Sequence, residues 1–160
     1  MSQANDSTLN RTPLHDLHVA LGARMVSFAG YEMPIQYANG ILAEHRWTRN
    51  KAALFDVSHM GQVTIRGEGR VAALEALLPG DVASLAPGRM RYTILTSDDG
   101  GILDDVIVTN VGDYLFLVVN AARKQADLTH LLAALPTSCE LTELSERALL
   151  ALQGPLAVAV

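Results

Sequence analysis

The spacing of apolar residues changes character along the chain and marks out its elements. Near the N-terminus Leu14, Leu17 and Leu21 share one helical face, with Thr12 suited to the N-cap, Pro13 to the first turn and Gly22 to the left-handed end. "ARMVSF" (Ala23 to Phe28) alternates as a short strand, "AGYEMP" from Ala29 reads as an irregular loop, and a second helix is predicted over Ile41 to Ala52. From about Phe55 the period becomes two. "LFDVSHMGQVTIRG" reads as a strand, and Gly69 to Gly80 as a short helix burying Val71, Leu74, Leu77 and Leu78. Met90 to Thr96, Ile102 to Val111 and Tyr114 to Asn120 follow as strands joined by tight turns. An amphipathic helix spans Ala121 to Leu135, and "CELTEL" and "RALLALQG" are the last strands. From Val63 to Leu144 the order is β-α-β-β-β-α-β. That order predicts an α+β fold with an antiparallel sheet and helices on one face. There is no internal repeat.

Two carboxylates, Asp104 and Asp105, interrupt the apolar strand "ILDDVIVTNV". Strand alternation sends them to opposite faces, Asp104 with Ile102, Val106 and Val108, and Asp105 with Leu103 and Ile107. Each face is apolar enough to cost a carboxylate its hydration unless a partner compensates. A two-residue turn at Gly112-Asp113 sets Asp105 opposite Asn120 and Ile107 opposite Val118. A turn at Asp99-Gly100 sets Tyr92 opposite Ile107, whereas a three-residue loop flips that pairing. An acid, an amide and a phenol beside aliphatic surface make a plausible wall for a flat ring. The plainer alternative is a solvated strand-end Asp105, with Asn120 capping the helix that follows.

Composition narrows the classes. With 160 residues, 49% hydrophobic and 18% charged, the chain has globular composition. A net charge of -5 offers no basic surface for nucleic acid. No stretch approaches the ~20 apolar residues of a membrane span, and "MSQANDSTLNR" lacks a signal-peptide core, so residues 1–11 read as a disordered lead-in. A single cysteine, Cys139, and five histidines without ligand spacing fit a metal-free protein of the reducing cytoplasm.

The remaining candidates are weaker. Ser58 and His59 are strand neighbours facing opposite ways, so they do not make a nucleophile and its base. His59 reads as structural or surface, His15 and His18 as surface residues, and Cys139 as a small buried side chain. Met60 is a flexible apolar group able to pack against a core or a ring. "GEGR" at Gly67 lacks the length of a phosphate loop.

Taken in order and spacing, "TPLHDLHVALGARMVSFAGYEMPIQY", "LFDVSHMG", "GGILDDVIV", "LVVNAA" and "LLALQGP" resemble the aminomethyltransferases, the T-proteins of the glycine cleavage system. The likeness covers about Thr12 to Pro155, with Tyr31 standing where tryptophan is expected. It implies transfer of a methylene carbon from the aminomethyl group on lipoylated H-protein to tetrahydrofolate, giving 5,10-methylene-tetrahydrofolate and ammonia. It also implies a catalytic role for Asp105 and folate contacts at Asn120, Met60, Tyr92, Ile107 and Val118. The family extends well past Val160 in three domains around the folate. Residues 1–61 and 145–160 are then expected to be pieces of a discontinuous first domain around a sheet domain at 62–144. The alternatives are a folate-binding relative without this transfer, or an inactive folded fragment; the iron-sulfur branch of such relatives is expected to carry a cysteine motif, which the chain lacks.

Overall fold

The computed structural model describes residues 9–160. In chain order the elements are α1 (His15–Ala20), β1 (Arg24–Phe28), β2 (Tyr31–Gln36), α2 (Ile41–Asn50), β3 (Ala53–Asp56), β4 (Gly61–Gly67), α3 (Arg70–Glu75), β5 (Met90–Thr96), β6 (Ile102–Asn110), β7 (Leu115–Val119), α4 (Lys124–Ala134), β8 (Cys139–Glu143) and β9 (Leu150–Gln153), with a final 3-10 turn at Ala157–Ala159. They form two compact units, one from residues up to His59 together with Ala148–Val160, the other from Met60–Arg147.

The first unit pairs β1 with β2 and β3 with β9, both antiparallel. The segment expected as loop is the second strand of a tight hairpin. Phe28 pairs Tyr31, and both turn residues, Ala29 (φ 49°) and Gly30 (φ 82°), have the positive φ that suits strand twist. Glycine takes such a conformation freely and alanine does not, so the Gly/Pro content of "AGYEMP" masked a strand signal. Of the stretch read as a disordered lead-in, residues 1–8 lie outside the described residues, and Asn10 is bridged to Tyr31. Helix α1 turns its histidines inward, with His15 and His18 buried and Leu17 and Leu21 exposed, the reverse of the leucine-face reading. The Thr12 hydroxyl donates to Asp56 rather than capping the helix.

The second unit is a five-stranded antiparallel sheet in the order β5-β6-β7-β4-β8. Val63, Ile65, Leu95, Val106, Val108, Leu115, Leu117 and Val119 point to one face and pack with Leu74 of α3 and Leu128 and Leu131 of α4. The predicted order and one-sided helices are those observed. The run "LFDVSHMGQVTIRG" is two strands, because a turn at Ser58–His59 separates β3 from β4. Close packing fixes Gly61, where a Cβ would lie 2.5 Å from Val119 Cγ2.

Registers decide what shares the second face. The turn after β6 pairs Val111 with Tyr114 and sets Ile107 against Val118, as the two-residue loop requires. The turn before β6 is different: Ser97 and Gly101 close a three-residue loop over Asp98–Gly100. A bulge cancels the flip this loop should cause. Thr96 pairs Ile102 while Leu95 pairs Asp104, leaving Leu103 as the extra residue, and Tyr92 still faces Ile107. The bulge also corrects the facial assignment, since Leu103 packs against the core and Ile102 is exposed.

Candidate functional site

On the face away from the helices, the sheet lines its residues up in rows. Tyr92, Ile107, Val118 and Gln62 are successive cross-strand partners on β5, β6, β7 and β4. One row along, Ile94 pairs Asp105, while Asn120 and Met60 lie just past the ends of the β6–β7 and β4–β7 ladders. Of the residues singled out in the sequence, Tyr92, Ile107 and Val118 therefore share one row and Asp105 lies in the next. Ile107, Val118 and Asp105 are half-buried and Tyr92 is exposed, which gives an aliphatic floor with two polar groups at its edge.

Tyr92 sits diagonally from Asp105, with the carboxylate close enough to act on its phenol. Partial loss of hydration, followed by the charge of Asp105, raises the Tyr92 phenol above its ordinary range. Gln62, which the sequence reading passed over, lies in the Tyr92 row, but it is buried and its amide donates to the Arg147 carbonyl at 2.7 Å. Alternation within "GQVTIRG" was signal enough to place it beside Val118 once β4 was known to pair β7.

Asn120 departs from expectation. Its carboxamide nitrogen donates to Asp104 Oδ1 at 3.1 Å and to the backbone carbonyl of Asp105 at 3.2 Å, so the carboxylate it meets is the one on the opposite face. The reason is local. β7 ends at Val119, and Asn120 already belongs to the turn in which its carbonyl accepts from Arg123, so strand alternation no longer aims its side chain. Nor does it cap α4, whose N-cap is Arg123 without a side-chain cap bond.

Behind the sheet, Asp104 meets Asp127 of α4. Asp127 is only 2% exposed, and its carboxyl is pushed up to about 7 by burial, then by Asp104, with Asp105 adding and Arg123 opposing. Sequence reading missed this acid, although Asp127 stands four residues before Leu131 and hence on the helix's apolar stripe.

A concavity lies within the first unit, a cavity of about 770 Å³ lined by His18, Tyr37, Glu44, Trp47, Phe55 and Asp56 among others. Its polar groups already satisfy one another. His18 bridges the Tyr37 hydroxyl (2.7 Å) and Asp56 Oδ2 (2.9 Å), and Asp56 also accepts from Thr12 Oγ1 and the Ser58 backbone N–H. Burial pushes the Asp56 carboxyl up, but these hydrogen bonds outweigh it and hold the group below the usual carboxylate range. A network so complete stabilises its unit and leaves little to offer a reactant. Size alone therefore does not make it the better site. Among the described residues there is no group of His, Cys, Asp and Glu arranged to hold a metal ion, and no helix is long and apolar enough to cross a membrane.

Known proteins share both the sequence and the fold. Residues 14–160 match the model of the GCVT N-terminal domain. An aminomethyltransferase of Picosynechococcus sp. is 50% identical over 155 residues, covering 94% of this chain and 42% of the relative; one of Deinococcus deserti is 47% identical over 163 residues, covering 100% and 45%. The crystal structure of glycine cleavage system aminomethyltransferase T from Bartonella henselae superposes with a TM-score of 0.89 at 43% identity, over 95% of this chain and 42% of that one. The chain thus spans less than half the length of these relatives. With a match over nearly its whole length, the chain belongs to the GCVT N-terminal domain family, that of the aminomethyltransferases.

Proposed function

We propose that this chain carries the part of an aminomethyltransferase that receives the reacting end of tetrahydrofolate, and that Asp105 is its catalytic carboxylate. The observation that carries the reading is the half-buried carboxylate of Asp105, set diagonally from Tyr92 at the edge of the Ile107–Val118 surface. A flat heterocycle fits such a place, since aliphatic side chains pack on its ring face while an acceptor at the edge fixes its N–H groups. Met60 extends the apolar side from the end of β4, and Asn120 holds the strand that bears Asp105.

In the proposed reaction the carbon of an aminomethyl group on lipoylated H-protein passes to tetrahydrofolate, with its bonds to nitrogen and sulfur broken and ammonia and the dihydrolipoyl thiol released. Positive charge develops as a folate nitrogen takes up the carbon, and a proton leaves as the new ring closes. A fixed carboxylate in a partly dehydrated setting stabilises that charge and orients the nitrogens. Supporting this role, the Asp105 backbone is tied on both sides, to Ile94 by the β5 ladder and to Asn120 by the amide hydrogen bond. The test is ammonia release from aminomethylated H-protein by a chain of the relatives' full length. Asp105→Asn is expected to lower kcat by about 10²–10⁴-fold. Near-native kcat with unchanged folate affinity would remove Asp105 from the mechanism. Folate binding without ammonia release by the unsubstituted chain would instead favour a non-transferring relative.

A further inference from the structure

Asp104 and Asp127 are carboxyl groups facing one another across the helix-covered side of the sheet, and the chemistry above makes no use of them. They lie close enough for the charge of Asp104 to act on Asp127, yet two carboxylates repel and neither can donate. One oxygen of each, Asp104 Oδ2 and Asp127 Oδ2, is buried without a protein donor. A single proton between the two carboxyls resolves both facts, supplying the missing donor and removing one charge from the interior. The other oxygen of Asp104 accepts from Asn120, whose second N–H reaches the Asp105 carbonyl. With that proton, Asp127, Asp104, Asn120 and the Asp105 backbone are linked in one continuous chain of hydrogen bonds from α4 through the sheet.

We propose that Asp127 is a positioning residue for the Asp105 face: as a carboxylic acid it donates to the Asp104 carboxylate, which in turn holds the Asn120 carboxamide against the Asp105 backbone. The significance for reaction rests on the folate reading, but the hydrogen-bond chain itself does not. The charged groups that act on Asp127 are Asp104 and Asp105 from β6 and Arg123 from the turn ahead of its own helix. Only Arg123 opposes the proton, and the raised affinity of Asp127 for it accords with a pair that holds one proton near neutral pH. Deprotonation places two like charges side by side, so Asp104 must turn away and release Asn120. The Asp105 side of the sheet then loses its Asn120 tether above neutral pH and keeps only the β5 ladder.

The experiment follows the Asn120 side-chain amide and the Asp105 backbone carbonyl carbon by NMR from pH 5 to 9, in this chain without added folate. The unsubstituted chain is expected to show both signals moving together with an apparent pKa near 7, and Asp127→Asn, which supplies a permanent N–H donor, to abolish that movement while keeping the low-pH Asn120 position. Signals that do not titrate in the unsubstituted chain overturn the proposal, as does unchanged titration in Asp127→Asn. The first of these outcomes needs no variant to fold. Tetrahydrofolate is then added at pH 6 and pH 8. Weaker binding at pH 8 for the unsubstituted chain but equal binding at both for Asp127→Asn extends the role to the ligand face. Co-titration of the two signals with no folate binding upholds the hydrogen-bond chain and rejects the folate reading, whereas folate binding without co-titration does the opposite.

Discussion

Tyr92 and Asp105 are diagonal neighbours across the β5–β6 ladder, Tyr92 opposite Ile107 and Asp105 opposite Ile94, and the carboxylate raises the affinity of the phenol for its proton. Asp105→Asn should therefore lower the Tyr92 pKa, though not fully to its ordinary value, because the loss of hydration at the phenol remains. Ultraviolet absorbance at alkaline pH reads this directly. Since Tyr92 is exposed, Tyr92→Phe should change stability by no more than about 0.5 kcal/mol in urea unfolding.

How this pair came to be legible is instructive. The Gly112-Asp113 turn announces itself, and from it the partners of Ile107 follow by counting. Tyr92 landed opposite Ile107 through two departures that cancel, a three-residue loop at Asp98–Gly100 and a bulge at Leu103, neither of which has an unambiguous local signature in "TSDDGGILDD". Asn120 went astray for a different reason, since alternation holds only while the backbone is extended and β7 ends one residue earlier. In α1 the polar histidines displaced the leucines from the interior because Asp56, Tyr37 and Glu32, distant in sequence, supply their partners.

Asp127 and Asp56 should make the two units respond to pH in opposite senses. The folded pKa of Asp127 lies above its unfolded value of 3.8, so its contribution is complete below about pH 4 and lost as pH rises through about 7. The full effect is on the order of 4 kcal/mol at most, from about three pKa units at ~1.4 kcal/mol each. Asp127→Asn should flatten this decline in the hydrogen-exchange stability of the second unit.

Asp56 has its folded pKa lowered, so its contribution is present above about pH 4 and disappears as pH falls through the folded value. Exchange at Val57, whose amide donates to Leu149, should quicken in acid, and Asp56→Asn should remove that acid sensitivity along with part of the stability at neutral pH.

Gly61 tests the packing under Met60. An added Cβ would meet Val119 Cγ2 at 2.5 Å and Lys124 Cγ at 3.0 Å, and Val119 is fully buried with nowhere to move. Gly61→Ala should cost about 1–3 kcal/mol in denaturant unfolding and perturb the Asn120 amide, since both residues flank the end of β7.

The central claim is that the Asp105 face receives the reacting end of tetrahydrofolate, and titrating tetrahydrofolate into methyl-labelled protein tests it most directly. The account predicts that the Ile107 and Val118 methyls and the Tyr92 ring shift together on binding, and that Asp105→Asn weakens affinity at least about tenfold, ~1.4 kcal/mol. Shifts confined to residues lining the first unit's cavity, or equal affinity for Asp105→Asn, would contradict it.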